Sequence, residues 1–219
     1  DWSSDVCSSD LSTDAKTDTQ TVTITITGTD DAPDVSVQSG DSAAKSLTEA
    51  DSALTTSGTL SLTDADLSDT VSVTVDTLAT SGTFSGTNPL TNAQLKAMLS
   101  LTSASANAAE PGSTNNLGWS FDSGTQAFDF LAKGETLVLT YTLKATDSST
   151  DAKTDTQTVT ITITGTDDAP DVSVKTNDSA AKSLTEADAG LTTSGTLSLT
   201  DADLDRKSTR LNSSHIPLS

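Results

Sequence analysis

Asp64 and Asp66, two acids separated by one residue, close a run in which hydroxyl and apolar residues alternate. At the end of a strand that spacing lets both carboxylates lean to one side and share one hard cation. Glu49 and the adjacent pair Asp30 and Asp31 are further oxygen donors. Neighbours in an extended chain point to opposite sides, so the pair serves two different ions or brackets a junction. The same types recur at Asp167, Asp168, Glu186, Asp201 and Asp203. Coordination of a divalent cation by oxygen is the chemistry these acids offer. The competing account makes them solvated turn formers, because Asp favours turns on its own account. Neither the Asp-x-Asp-x-Asp-Gly order of a calcium-loop helix pair nor the glycine-rich nonapeptides of calcium β-rolls is present.

The two sets of acids are copies. Residues 12–67 return at 149–204, shifted by 137 positions and identical at 51 of 56. A fixed period implies one structural unit repeated end to end. The differences, Gln38/Lys175, Ser39/Thr176, Gly40/Asn177, Ser52/Ala189 and Ala53/Gly190, fall near turn formers, where substitution is cheap. Equivalent prolines, Pro33 and Pro170, bound one complete unit, residues 34–170. Residues 12–33 then form the closing strand of a preceding unit, and residues 171–204 open the next. Each proline follows Asp-Asp-Ala, fixes its own φ and biases the alanine towards an extended form, which makes a short stiff connector.

The repeat match stops at Ser12 and at Leu204. Residues 1–11 can be encoded by a DNA stretch whose reverse complement, in another frame, encodes residues 205–214 and, with the next codon, His215; the pair looks like a translated short-read sequencing adapter. Residues 1–11 and 205–219 are therefore set aside as non-native scars. Cys7, His215, Trp2, Arg206 and Arg210 go with them, leaving eight lysines against 27 acidic residues. Without Cys or His there is no thiol nucleophile, imidazole base, disulfide or zinc site of the N/S type. An acidic chain repels nucleic acid and anionic lipid, and no apolar run approaches the ~20 residues of a membrane span. Asp122 and Asp129, beside Phe121 and Phe128, are conceivable glycosidase acids. Nothing converges on them, and a tandem array would copy such a site many times; no enzyme and no catalytic residue are expected.

These acids must be positioned by strands. Val22, Ile24 and Ile26 alternate with threonines, as do Val71, Val73 and Val75 with hydroxyls, and Leu137, Leu139, Tyr141 and Leu143 with Val138, Thr140 and Thr142. Such alternation marks strands with one face on a core. Shorter candidates are residues 34–37, 58–63, 82–85, 117–121 and 127–130. Seven or eight strands per unit predict an all-β, antiparallel sandwich, and 137 residues suffice for its own core. Thr91 and Gln94 have capping-box spacing, with Leu95, Met98 and Leu99 on one stripe, which predicts a short inserted helix at about 91–100. It plugs an open end or forms a lid. Trp119 and Phe121 point inward together, as core or as a sugar-stacking platform; exposure of Trp119 separates the two.

Several motifs in order carry a resemblance: Ser46-Leu47-Thr48-Glu49-Ala50-Asp51, Ser57-Gly58-Thr59-Leu60-Ser61-Leu62-Thr63-Asp64-Ala65-Asp66, Gly118-Trp119-Ser120-Phe121, Leu131-Ala132-Lys133-Gly134-Glu135-Thr136-Leu137, Tyr141, Asp147 and the run from Thr158 to Pro170. They resemble VCBS repeats, cadherin-like modules of very large bacterial surface and secreted proteins. The resemblance covers residues 12–204. It implies an immunoglobulin/cadherin-like β-sandwich in the extracellular stalk of an adhesin at the bacterial surface, with Ca2+ at junctions between repeats. Partners are then the neighbouring repeats of the same chain, with cell-surface or matrix glycans met by other parts of the protein. The alternative is a carbohydrate- or surface-binding module using Trp119, Phe121, Phe128 and Tyr141. Asp30 and Asp167 depart from the family, which more often has Asn there, and the inserted helix makes this unit longer than usual.

Overall fold

A computed structural model describes residues 18–102 and 107–203, and residues 1–11 and 205–219, expected to be non-native, lie outside the described residues. The chain divides into two compact units, Asp1–Asp30 and Asp31–Ser219. In the first, residues 18–30 contain no strand or helix, and Val22, Ile24 and Ile26 are exposed. The second is a β-sandwich.

Its strands are β1 (Asp34–Ser36), β2 (Ala44–Thr48), β3 (Thr55–Thr63), β4 (Val71–Gly82), β5 (Leu99–Leu101), β6 (Leu117–Asp122), β7 (Thr136–Asp147) and β8 (Thr154–Thr164), followed by the pair β9 (Asp171–Ser173) and β10 (Ser198–Thr200). One sheet has the order β1-β3-β6-β5 and the other β2-β8-β7-β4. Burial alternates along all of β7, with Leu137, Leu139, Tyr141, Leu143 and Ala145 inward. They share one core with Val159, Ile161 and Ile163 of β8 and with Leu60, Leu62, Leu117, Trp119 and Phe121 of the facing sheet. The period of two read from sequence is thus the pleat that separates core from solvent. β9 and β10 repeat the β1–β3 pairing one period later, Asp171 opposite Thr200 as Asp34 is opposite Thr63.

Trp119 is buried, and its Nε1–H donates to Ser42 O at 2.9 Å. Gly58 lies opposite it across the β3–β6 ladder, where a Cβ would stand 2.6 Å from both the indole and Ser42 O. The ring occupies the space that glycine leaves.

The all-β sandwich of largely antiparallel sheets is as expected, and five details need correction. Residues 18–30 form no strand, although Val22, Ile24 and Ile26 alternate with threonines, and these three side chains are exposed. One pairing is not antiparallel, since β2 pairs in parallel with β8, Ala44 opposite Thr160 through Thr48 opposite Thr164. Most of the module separates these strands in sequence, so no hairpin fixes their direction. The helix, α1, is Asn92–Lys96 rather than 91–100. Its Thr91–Gln94 capping box forms as read, but Leu95 O accepts from Tyr141 Oη at 2.8 Å and Met98 N–H at 3.2 Å. That carbonyl is the one Leu99 would need to continue the helix, and Leu99 instead pairs with Phe121 in β5. The strand expected at 82–85 is not separate, because β4 runs on to Gly82. Residues 127–130 form a turn in which Phe128 has φ +72° and its carbonyl accepts from Leu131 N–H at 2.9 Å.

Candidate metal centre

β2 ends at Thr48 opposite Thr164, and the next N–H, of Glu49, still reaches Thr164 O at 2.8 Å. The parallel pairing therefore delivers Glu49 beside the segment that leaves β8. Its Oε2 accepts from both N–H and Oγ1 of Thr166, each at 2.7 Å. The residue is 2% exposed, and its Oε1 is buried without a hydrogen-bond partner. A carboxylate oxygen withdrawn from water with no donor is costly unless a cation meets it.

Asp129 Oδ1, Asp168 Oδ2 and Asp203 Oδ1 are buried and unpartnered in the same way. They come from three different segments. Asp168 lies on the connector after β8, and Asp167 beside it is exposed, so the adjacent acids do point to different surroundings. Asp168 N–H donates to Asp203 Oδ2 at 3.2 Å, and Asp203 N–H donates to Asp201 Oδ1 at 3.2 Å, which ties the connector to the residues after β10. Asp129 sits between Phe128, which is buried, and Phe130, whose ring lies 5.9 Å from that of Phe128 and 5.2 Å from that of Phe84. Gly165 lets the following loop approach: a Cβ there would collide with the carbonyls of Leu131 and Ala132. Gly165 O accepts from Gly134 N–H at 3.1 Å, and Gly165 N–H donates to Glu135 O at 2.9 Å.

Burial pushes the carboxyls of Asp129, Asp168 and Asp203 above the ordinary aspartate range, and surrounding acids push the same way. Glu49 and Asp51 act on Asp129; Glu49, Asp203, Asp129 and Asp51 act on Asp168. For Asp203 the bond from Asp168 N–H opposes burial, while Asp201, Asp167 and Glu49 reinforce it. One oxygen each from Glu49, Asp51 and Asp168 lie within 4.8 Å of one another. Oxygens that each sit about 2.4 Å from a common ion reach this separation, so the group can hold a metal ion.

Glu49 therefore does not stand with Asp31, Asp64 and Asp66. The nine residues of β3, about 27 Å of extended chain, run between its turn and Asp64. At the far end Asp64 is buried, its Oδ1 accepts from Asp66 N–H at 3.0 Å and its Oδ2 lacks a partner. Asp66 Oδ2 accepts from Asp31 N–H at 2.7 Å. Asp31 is to Asp66 as Asp168 is to Asp203, so the two copies build the same contact. Asp30 belongs to the first unit. Glu186, the copy of Glu49, is exposed on a segment without a strand and joins no such group among the described residues, because the pairing that places Glu49 is not made there. Asp201 is exposed and reaches the group through Asp203.

Two members escaped sequence reasoning. Asp51 carried a usable signal, since it follows Glu49 at the one-residue spacing of Asp64 and Asp66. Asp129 carried none: its place depends on how the β6–β7 loop folds over Gly165.

No family model matches the chain, and neither does any curated protein. No helix among the described residues is long and apolar enough to cross a membrane.

Proposed function

We propose that the chain is a non-catalytic spacer from a tandem array, a stalk module of an extracellular bacterial adhesin, stiffened by Ca2+ at the junction between successive units. One observation carries this reading. Glu49 at the end of β2 and Asp168 on the connector, each with a buried oxygen that lacks a partner, stand with Asp51 in a group close enough to share one ion, and the likewise unpartnered Asp129 of the β6–β7 loop and Asp203 after β10 raise the negative potential there. In the repeat frame of the sequence the end of β2 and the β6–β7 loop belong to one repeat, the connector joins repeats and the residues after β10 belong to the next, all within Asp31–Ser219. A hard oxygen-seeking cation bound there neutralises the mutual repulsion and fixes the connector in one pose. The net charge of −20 supplies the same logic for the whole chain. The resemblance to VCBS repeats points to the same role.

The glycan-binding alternative finds no support in the aromatic residues, because Trp119, Phe121, Phe128 and Tyr141 are all buried. A shallow hollow lined by Thr55, Thr56, Ser57, Ser120, Phe121 and Asp122 holds one ionisable group, Asp122, whose Oδ1 accepts from Gly124 N–H at 2.8 Å. That is a turn cap rather than an acid poised for proton transfer.

Calorimetric titration of the chain with CaCl2 tests the proposal. Binding at roughly 10⁻⁴ to 10⁻³ M is expected, the range of extracellular modules, and Asp168→Asn should weaken it at least tenfold. Absence of Ca2+ binding at millimolar concentration would overturn it.

A further inference from the structure

Asp64 and Asp147 each keep a buried oxygen that the Glu49 group does not use. Asp64 is 3% exposed and Asp147 6%, and Oδ2 of each has no hydrogen-bond partner. The two carboxylates come from opposite sheets: Asp64 follows β3 directly, and Asp147 closes β7 as the last of its inward-facing residues. Along the β7–β8 ladder Asp147 stands at the Thr154 end, whereas Glu49 lies at the Thr164 end. Backbone contacts tie the sheets together at the Asp147 pole. Asp147 is opposite Val71 of β4, and Val71 exchanges both backbone hydrogen bonds with Asn107, at 2.9 and 3.0 Å. Two residues on, Ala109 O accepts from Asp64 N–H. Ser148, beside Asp147, meets the turn that carries Asp64, Asp66 and Asp69: its Oγ accepts from Thr70 N–H at 3.0 Å and reaches Asp69 Oδ1 at 3.5 Å.

Each acid is anchored as Glu49 is, by one oxygen. Asp64 Oδ1 accepts from Asp66 N–H at 3.0 Å, and Asp147 Oδ1 accepts from Ser149 N–H at 3.1 Å and from Ser149 Oγ at 2.7 Å. Those bonds fix the carboxylates and leave the second oxygen of each buried without a donor, which is costly unless a cation meets it. Half-buried Asp66 and Asp69 bring one oxygen each within 4.8 Å of the other on the adjoining turn. We propose that Asp64 and Asp147 hold a Ca2+ ion inside the module, with Asp66 adding oxygen from the rim, and that this ion clamps the two sheets at the pole away from Glu49. Ca2+ accepts carboxylates from separate segments in flexible geometry, whereas Mg2+ demands a near-ideal octahedron and keeps its waters. An all-oxygen donor set excludes the soft metals. The ligands all lie within residues 64–147 of one repeat, so the site forms without a neighbouring repeat and stands apart from the junction.

Calorimetric titration of the full chain with CaCl2 counts the ions at about 1 mM protein, at or above the expected dissociation constants. About 0.15 M KCl shortens the screening length to about 8 Å and suppresses loose binding to the charge of −20. Two ions are expected, one weakened at least tenfold by Asp168→Asn and the other by Asp147→Asn. Asparagine keeps the Oδ1 that Ser149 uses, so the turn survives. Asp64→Asn likewise keeps the acceptor for Asp66 N–H and should act as Asp147→Asn does. Thermal denaturation gives a readout that a turn cap alone would not move. In chelator Asp147→Asn should melt no lower than the unaltered chain, because the neutral amide removes an unpaired buried charge. In about 10 mM CaCl2 it should melt several degrees lower, having lost the stabilisation that the ion gives by mass action. An ion count that Asp147→Asn and Asp64→Asn leave unchanged, or the same melting shift with and without Ca2+, would overturn the site. The junction is judged separately: a single ion lost in Asp168→Asn and kept in Asp147→Asn retains the junction and sinks this site, and the reverse pattern retains this site and sinks the junction.

Discussion

Glu49 receives both of its hydrogen bonds from a single residue, Thr166, at 2.7 Å each and on one oxygen, Oε2. The other oxygen is left buried and free. Anchoring one carboxylate oxygen fixes the rotamer and presents the second, which lowers the ordering cost of coordination. Thr166→Val keeps the backbone N–H and removes the hydroxyl. It should lower stability by about 1 kcal/mol and weaken Ca2+ binding several-fold, with the number of sites unchanged. Calorimetry reads affinity and stoichiometry together; an unaltered affinity would show that Thr166 does not position the ligand.

The Trp119–Gly58 contact gives a prediction about the core. Gly58→Ala places a methyl group against the buried indole on one side and backbone on the other, and neither can yield without opening the Nε1–Ser42 bond. Overpacking of this kind costs about 1–3 kcal/mol. Urea denaturation followed by Trp119 fluorescence should show the midpoint falling with the slope unchanged.

Long alternation marked the strands that bury one face on the core, as in β7 and β8, because a buried face imposes a period of two; the identical alternation of residues 18–27 buries no face and forms no strand. Short or edge elements carried no such mark. β5 is three residues long, and β2 has a half-buried leucine but no marked alternation of hydrophobicity. The acids themselves were legible by type and spacing, and Asp168, Asp201 and Asp203 do come together. Their grouping was not, because the partner of Glu49 is decided by a parallel pairing between strands far apart in sequence. One repeat difference is explained locally: Gly40 and Asn177 occupy the same position at φ +94° and +79°, a region both residue types tolerate.

The repeat frame, with residues 34–170 as the folded module, predicts a cleavage order. Lys175 and Lys182 are exposed, the latter on a segment without a strand, whereas Lys45 and Lys144 lie within β2 and β7. Brief trypsin digestion in chelator should cut after Lys175 and Lys182 well before Lys45 or Lys144. Mass spectrometry of the first fragments reads the order, and early cleavage after Lys144 would contradict the frame.

Asp41 joins the β1–β2 crossing to β3 and to the loop before β6. Its oxygens accept from Gln38 N–H at 2.9 Å, Thr59 Oγ1 at 2.9 Å, Ser61 Oγ at 2.6 Å and Asn115 Nδ2 at 2.6 Å. Asp178 repeats part of this in the second copy, accepting from Lys175 N–H and Ser198 Oγ. Asp41→Ala leaves several donors unmet and should cost about 2–3 kcal/mol. Thermal denaturation measures it, and a loss below about 0.5 kcal/mol, within the ordinary scatter of surface substitutions, would deny Asp41 this role.

The same residue and the acid cluster predict opposite limbs of one pH curve. For Asp41, burial raises the pKa, but the bonds from Ser61, Gln38 N–H, Asn115 and Thr59 outweigh it and hold the group below its ordinary value. Stability from a depressed carboxyl is present above the unfolded pKa and is lost as pH falls through the folded one, so this limb descends below about pH 4. Asp129, Asp168 and Asp203 behave in reverse: raised by burial and by neighbouring acids, Glu49 among them in each case, they take up protons more readily when folded. Without Ca2+, melting temperature should therefore rise as pH falls through the raised range of these three carboxyls and then drop below the ordinary aspartate value of about 4. With Ca2+ at about 10 mM, ten to a hundred times the expected dissociation constant, mass action adds about 1.4–2.7 kcal/mol at pH 7. For a domain of this size that is several degrees. Protons compete with the ion, so the two curves should converge as the cluster protonates, and Glu49→Gln should shrink the gap at pH 7. Parallel curves with and without Ca2+ across pH 4–8 would mean that the ion, if it binds, does so away from Glu49, Asp129, Asp168 and Asp203.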